Sequence, residues 1–268
     1  MSHAIPCTVQ ILTRNNADNL EQCLQALSSF DEVIVHDGYS ADGTRDIAQK
    51  YPNVRLMDQN RTYLDSDGRI IDFAAMRNES LKAAKHDWIF MVDADEQVDS
   101  DLVAEIGEIV KRNQPGVYQV FRRFYVNGEK IIFCSGYPVY QIRFYHRSLT
   151  EGYVKVIHER LALNPGVKVQ TLKAELPTPL PPWRELQPKF DRYLAMEVKR
   201  LGLMSWGRWI RWTLLRNLRS VLGLSVRLLW IWLIPRMGKR LPLAYELQYI
   251  RHSLRTIVHT FPLVTKKI

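Results

Sequence analysis

The chain has 268 residues, 46% of them hydrophobic and 24% charged, with a formal net charge of +9. That composition supplies a core for one large domain, or for a domain with a substantial appendage, and excludes a disordered chain. Three cysteines, Cys7, Cys23 and Cys134, with no pairing at zinc spacing, exclude a disulfide framework and a structural zinc site and favour a reducing, cytosolic setting.

The opening MSHAIPCTVQILT lacks the basic and long apolar regions of a signal peptide. Ala4 to Leu12 is a β-rich run, and the apolar residues at 20, 23, 24 and 27 repeat at helical spacing. DEVIVHDG (Asp31 to Gly38) predicts a second strand, and SADGTRDIAQKY a helix capped by Asp42 or Thr44. Val54 to Gln59 predicts a third strand, Phe73 to Lys85 a helix, and WIFMVDADE a fourth strand that ends in carboxylates. This alternation implies a mostly parallel α/β sheet covered on both faces, with ligands at the carboxyl ends of its strands. A helix over SDLVAEIGEIV, with Ser100 and Asp101 at its start, ends near Gln114-Pro115-Gly116. Beyond it, VYQVFRRFYVNG, KIIFCSGYPVYQIRFYH and VIHERLAL are strand-like runs separated by Asn-Gly and Gly turns. They predict a smaller mixed or antiparallel sheet laid across the first. No internal repeat or low-complexity tract interrupts the pattern.

Charge divides the chain. Met1 to Trp183 carries 20 Lys and Arg against 24 Asp and Glu, whereas Arg184 to Ile268 carries 17 against 4. The break falls in PTPLPPW (Pro177 to Trp183), whose prolines force an extended segment and end a helix or sheet. The expected organisation is a folded domain over 1–176, divided near residue 115, a Pro-rich linker over 177–183 and a basic, amphipathic helical region over 184–268.

Two motifs carry chemistry. Asp93 and Asp95, one residue apart at a strand end, repel each other if buried together unless a cation offsets them. A hard divalent metal such as Mg²⁺ or Mn²⁺ does so, and in turn holds a diphosphate. An isolated D-x-D also occurs as a helix cap or a solvated loop, but the apolar strand before it argues for a site. The haloacid-dehalogenase phosphatases also end a strand in D-x-D, but they require Thr or Val where this chain has Gln97. In VIVHDGYSADGT, Asp37 closes a strand before a Gly/Ser/Asp-rich turn, suited to a base or ribose or to an ordinary capped turn. Neither a G-x-G-x-x-G fingerprint nor a phosphate-cradling P-loop is present, which disfavours nicotinamide cofactors and a standard NTPase.

The succession TVQILTRNNADNLEQCLQAL, DEVIVHDGYSADGTRDIAQKY and FAAMRNESLKAAKHDWIFMVDADEQV resembles family 2 glycosyltransferases of the GT-A fold. Through FRRFYVNGEKIIFCSGYPVYQIRFYHR and VIHERL it resembles the subgroup that adds sugars to the lipopolysaccharide core or related bacterial envelope glycans, so the likeness covers roughly residues 5 to 165. The resemblance implies a nucleotide-binding half over about 1–115 and an acceptor half over about 116–176. It implies that Thr13, Arg14 and Asp37 hold the nucleotide, that Arg77 lies near the diphosphate or ribose, that Asp93 faces the ribose or metal, and that Asp95 binds the metal. Where the family has a small residue after Asp-Ser or Asp-Asp, this chain has Tyr39, so the nucleotide's identity is less fixed than its binding. The resemblance also implies an inverting displacement with a carboxylate base from the second half. Glu159 is the candidate, His158 beside it a metal or phosphate contact, and Asp99 and Glu96 are reserves. The loop Ser135-Gly136-Tyr137 is a candidate wall of the acceptor pocket.

Five of the seven tryptophans lie between Trp206 and Trp232, among Arg208, Arg211, Arg216, Arg219 and Arg227. This pattern predicts helices lying on an anionic membrane surface. LLWIWLIP is too short to span a bilayer. Single-stranded nucleic acid and packing on the catalytic domain or a second subunit are the alternatives. The expectation is therefore a metal-dependent, inverting transferase on the inner face of the bacterial cytoplasmic membrane, using a nucleotide-diphosphate sugar and a lipid-linked or lipopolysaccharide-core acceptor. A polyprenyl-phosphate or capsule substrate, or a silent scaffold of the same fold, is the alternative.

Overall fold

The computed structural model describes residues 4–156, 159–201, 203–233, 237–261 and 264–265. The chain divides into two compact units, one of residues 1–123 and 139–179, the other of residues 124–138 and 180–268.

The first unit opens with alternating strands and helices: β1 (Ile5–Thr13), α1 (Ala17–Ala26), β2 (Phe30–Asp37), α2 (Thr44–Gln49), β3 (Val54–Asp58), α3 (Phe73–Ala83), β4 (Trp88–Asp93) and α4 (Ser100–Arg112). β1 pairs in parallel with both β2 and β4, and β2 with β3. The apolar run Trp88–Val92 is buried throughout, as a strand covered on both faces requires. Val9, Ile11, Val33, Val35, Phe90 and Val92 feed one core, while Ile34, Ile89 and Met91 feed the other, the period-2 alternation of a doubly covered sheet. In α1 the predicted spacing buries Leu20, Cys23 and Leu24. In α4, Leu102, Ile106, Ile109 and Val110 form the buried stripe.

After α4 come β5 (Val117–Val126), β6 (Glu129–Lys130), β7 (Tyr140–His146), β8 (Thr150–Val154), β9 (Arg160–Leu163) and β10 (Val169–Pro179). β5, β7 and β10 do not lie across the parallel sheet as a separate layer; they extend it, in the order β10-β5-β7-β4-β1-β2-β3, with β6 paired to β5. β7 joins β4 antiparallel, and the separate small sheet is the β8–β9 pair. Stacking of Trp88 on Phe144, with ring centroids 4.7 Å apart, fastens this flank to the parallel core. The prolines at 177 and 179 end an edge strand, where a missing N–H costs no ladder bond, so the extended segment is the last part of β10.

The cap expected at α2 takes another form, and α4 starts where the sequence placed it. Ser100 and Asp101 open α4 as expected, and Asp99 caps it by accepting from the Leu102 N–H at 2.9 Å. Left-handed Gly43 precedes α2, while Asp42 accepts from the Thr44 and Ala17 N–H groups.

The second unit contains α5 (Trp183–Leu201), β11 (Met204–Ser205), α6 (Trp206–Trp209), a π-helical turn (Ile210–Leu214), α7 (Leu215–Leu233), α8 (Leu243–Thr260) and β12 (Val264–Thr265). Trp209 anchors it, with its indole N–H donating to Thr260 Oγ1 at 3.0 Å and its ring edge-on to Phe261. Both carboxylate oxygens of buried Glu246 in α8 accept from Ser135, one from its N–H and one from its hydroxyl. The three cysteines are free and buried. Among the described residues no helix is long and apolar enough to cross a membrane.

Candidate active site

Strand register places the site. Thr13 pairs with Asp37, Leu12 with Asp93, and Asp37 with Asp58. The polar residues that close β1, β2, β3 and β4 therefore form one row at the carboxyl edge of the parallel strands, where open α/β sheets bind ligands.

Asp37 is fully buried at the end of β2. Its carboxylate accepts from the Ser40 N–H at 3.0 Å, from the Ser40 hydroxyl, and from Arg45 at 2.8 Å; Arg45 also reaches Asp58 at 2.6 Å. The Gly38 N–H donates to the Thr13 carbonyl at 2.8 Å. A Cβ at Gly38 would lie 2.9 Å from Gln59 Oε1 and 3.1 Å from Arg14 Cβ, so glycine is needed for this close approach. Tyr39 takes a φ of 59°, with its hydroxyl donating to the Gln59 carbonyl and the Arg61 guanidinium 4.6 Å above its ring. His36, buried beside Asp37 in β2, donates from Nε2 to the Asp58 carbonyl and accepts at Nδ1 from Ser80. Burial lowers its pKa, so it stays neutral near pH 7.

At the end of β4 the first aspartate is clamped. Asp93 Oδ1 accepts from Arg77 at 2.9 Å and Oδ2 from Arg143 at 2.7 Å. Arg143 also bonds Glu96 at 2.6 Å, Arg122 lies 3.1 Å from the same carboxylate, and Glu96 accepts from the Asp93 N–H at 2.9 Å. Arg77 Nε lies 3.6 Å from Glu159. The side chains of Arg77 and Arg143 are 3% and 1% exposed and that of Asp93 is 38% exposed, so the clamp is buried and the aspartate keeps one open side. Burial pushes the Asp93 carboxyl up, but Arg143 and then Arg77 overcome it and hold the group well below the usual carboxylate range. Burial raises the Glu96 carboxyl, against the pull of Arg143.

Asp95, in contrast, is exposed and makes no ion pair or hydrogen bond among the described residues. Thr13 Oγ1, Gln59 Oε1, Arg77 Nε, and Arg143 Nε and Nη1 are buried without hydrogen-bond partners among the described residues, polar groups that the fold alone leaves unsatisfied. Arg14 is exposed. His158 lies outside the described residues. The described residues hold no cluster of three or more His, Cys, Asp or Glu that could bind a metal. Exposed Asp95, two residues from the half-open Asp93 at the end of β4, nonetheless fits Mg²⁺ or Mn²⁺, which is held by one or two carboxylates and completed by phosphate and water.

Thr13, Asp37, Arg77, Asp93 and Glu159 thus belong to one edge of the first unit. The reserve bases are otherwise engaged: Asp99 caps a helix, and Glu96 is buried in the arginine clamp. Ser135, Gly136 and Tyr137 belong to the second unit, where Glu246 holds Ser135. Sequence reasoning missed Arg45, Arg122 and Arg143. Arg143 had a signal: a cation within the apolar strand QIRFYH needs a buried counter-charge.

A mostly parallel α/β sheet with buried cations and carboxylates at the carboxyl edge of its parallel strands defines an α/β domain built to bind a ligand at that edge. The Glycosyl transferase family 2 profile matches residues 8–161, more than half of the chain, and the chain belongs to that family. Among curated relatives it is 27% identical over 106 residues to the SPbeta prophage-derived glycosyltransferase SunS of Bacillus subtilis, covering 39% of this chain and 23% of SunS. It is also 27% identical over 129 residues to the lipopolysaccharide core biosynthesis glycosyltransferase LpsC of Rhizobium meliloti, covering 46% of this chain and 44% of LpsC. The matched segment therefore spans less than half of each relative's length. Among solved structures, S. aureus TarS 1–349 in complex with UDP-GlcNAc is similar at 14% identity and a TM-score of 0.49, covering 93% of this chain and 72% of that one. Mannosyltransferase PcManGT from Pyrobaculum calidifontis, in complex with GDP-Man and Mn²⁺, is similar at 14% identity and a TM-score of 0.48, covering 97% and 76%.

Proposed function

We propose that the chain is a metal-dependent, inverting glycosyltransferase that moves a sugar from a nucleotide-diphosphate donor to a lipid-linked or lipopolysaccharide-core acceptor. The reading rests on the row formed by Thr13, Asp37 and Asp93 in strand register, with Arg77 linking Asp93 to Glu159. Thr13, Arg14 and Asp37 hold the nucleoside. Arg77 and Arg143 fix Asp93 and supply positive charge where the diphosphate lies. Asp95 would hold a divalent cation, with His158 as a further candidate ligand, and a bound ion there would offset charge on the leaving diphosphate.

Glu159 removes the proton from the acceptor hydroxyl, whose oxygen bonds to the anomeric carbon as the bond to the diphosphate oxygen breaks on the opposite face. The diphosphate leaves with the electron pair. The ion pair with Arg77 suits Glu159 to this task, because it orients the carboxylate.

The helical unit supports attachment to the inner face of the cytoplasmic membrane. Leu215, Leu218, Leu222, Val226, Leu229 and Leu233 repeat every three or four residues along α7 and are 44–75% exposed, an unpartnered apolar stripe flanked by arginines. An interfacial helix buries such a stripe among lipids without spanning.

Isothermal titration with a panel of nucleoside diphosphates, with and without Mn²⁺, tests the donor half of this reading. Metal-dependent binding of one nucleotide, lost in Asp95→Ala, supports it. Failure of every nucleotide to bind overturns it in favour of a silent scaffold.

A further inference from the structure

The helical unit holds a cavity of about 620 Å³ that the transfer reaction does not use. Arg208, Trp212, Arg216 and Ser220 line it at four-residue spacing, one face of the helix that runs from α6 into α7. His252, Ser253 and Thr256 of α8 and Glu197 of α5 contribute to the lining as well.

Three features make this more than a gap between helices. Arg208 and Arg216 form no ion pair or hydrogen bond among the described residues, and both are exposed. With Glu197 as the one carboxylate in the lining, the cavity has a net charge of +1, or +2 when His252 is protonated. The helix is also locally widened at Ile210–Leu214, the π-helical turn that brings Trp212 and Thr213 to the lining. Asn217 Nδ2 donates to the Thr213 carbonyl at 2.7 Å, which satisfies a backbone group in the widened turn. Such π-bulges lose regular hydrogen bonding and occur frequently at functional sites.

Two guanidinium groups with neighbouring hydroxyls recognise a phosphate, and a net charge of +1 to +2 complements a phosphate monoester. The lining also meets the apolar stripe. Arg216 follows Leu215 in sequence and so turns its side chain about 100° round the helix from the first residue of that stripe, and Trp212 at the lining is 61% exposed. A ligand with its phosphate between the arginines would have room for an alkyl chain along the exposed leucines.

We infer that this cavity binds the phosphate monoester headgroup of a lipid, whose chain lies along the exposed face of α7. The inference rests on the membrane half of the proposed function and is independent of the donor half. The shared chemistry, a phosphate monoester, also exists free in solution, so the test separates the two sources.

Octyl phosphate below its micelle concentration and inorganic phosphate are titrated into the full-length chain. Four proteins are compared: wild type, Arg208→Gln/Arg216→Gln, Arg219→Gln/Arg251→Gln as an equal charge loss outside the lining, and Ser220→Phe, which fills the cavity without changing charge. Octyl phosphate is expected to bind wild type and the outer double variant alike. The inner double variant should lose at least tenfold in affinity, and Ser220→Phe should lose a similar amount. Inorganic phosphate should bind at least tenfold more weakly than octyl phosphate. In flotation with phosphatidylcholine vesicles, phosphatidic acid should be preferred over phosphatidylglycerol at equal mole fraction, and the inner double variant should lose that preference. Equal losses in the two double variants, unimpaired binding by Ser220→Phe, or equal affinity for inorganic and octyl phosphate would overturn the inference. Nucleoside diphosphate titrations on the same variants should match wild type, so a failed donor reading is distinguishable from a failed headgroup reading.

Discussion

Two pairs of arginines, one in each unit, sit in opposite settings. In the sheet, Arg77 and Arg143 are buried and every close partner is a carboxylate or a carbonyl of the same unit. In the helical unit, Arg208 and Arg216 are exposed and make no ion pair among the described residues. A buried guanidinium needs an internal counter-charge, because desolvation costs more than an unpaired ion recovers. An exposed one is solvated without a partner and is free to meet an external anion. Arg77 and Arg143 therefore hold the carboxylates at the end of β4, whereas Arg208 and Arg216 stay open to solvent.

The largest expected effect tests the buried network as catalytic machinery. Glu159→Gln should lower the rate of sugar transfer by about a hundredfold to ten-thousandfold while leaving nucleotide affinity as in wild type. An unchanged turnover number would move the base to another residue.

Arg143→Met should destabilise the chain by about 3–5 kcal/mol in urea unfolding, because it leaves Asp93 and Glu96 without their shared buried partner. A loss under about 1 kcal/mol would mean that this pair behaves like surface charge.

The same clamp sets an acid limit. Asp93 is held below its unfolded value of about 3.9, so its contribution to stability is complete above that pH and is lost as the pH falls toward the folded value. Unfolding free energy should therefore fall from about pH 5 to about pH 2, with a shallower slope in Asp93→Asn. Glu96, raised by burial, has the opposite sign: its contribution is complete below its unfolded pKa and is lost as the pH rises through the folded one, so Glu96→Gln should keep the acid limb.

Gly38→Ala should cost about 1–3 kcal/mol through overpacking against Gln59 and Arg14, and should weaken nucleotide binding because Arg14 must move. In the helical unit single changes should do least. Arg219→Gln should leave the melting temperature unchanged and weaken binding to phosphatidylglycerol vesicles by a few-fold, an effect that salt should suppress. A large stability loss in that variant would erase the contrast between the units.

The parallel half of the fold was readable because its signals are local. Strand runs closed by Asp and Gly alternate with residues at helical spacing, and the positions of β1 to β4 agree with the predicted runs within a few residues. The antiparallel flank was misjudged because strand runs do not state which sheet they join. The partner is chosen by side-chain packing, here Phe144 on Trp88, 56 residues apart in sequence and stacked at 4.7 Å. Asp93 and Asp95 look alike in DAD, yet one is clamped by two arginines and the other is open. That difference comes from Arg77 and Arg143, 16 and 50 residues from Asp93.

The sequence by itself determined the α/β alternation, the family-like motif order, the charge break near residue 180 and the amphipathic, tryptophan-rich character of the last third. Each follows from periodicity or composition within a short window. Only the tertiary structure decided that one sheet contains both the parallel and antiparallel strands, that three arginines surround Asp93 and Glu96, and that a cationic cavity lies among the C-terminal helices. Those features depend on desolvation and pairing between residues far apart in the chain, and such pairings have no signature until the chain has folded.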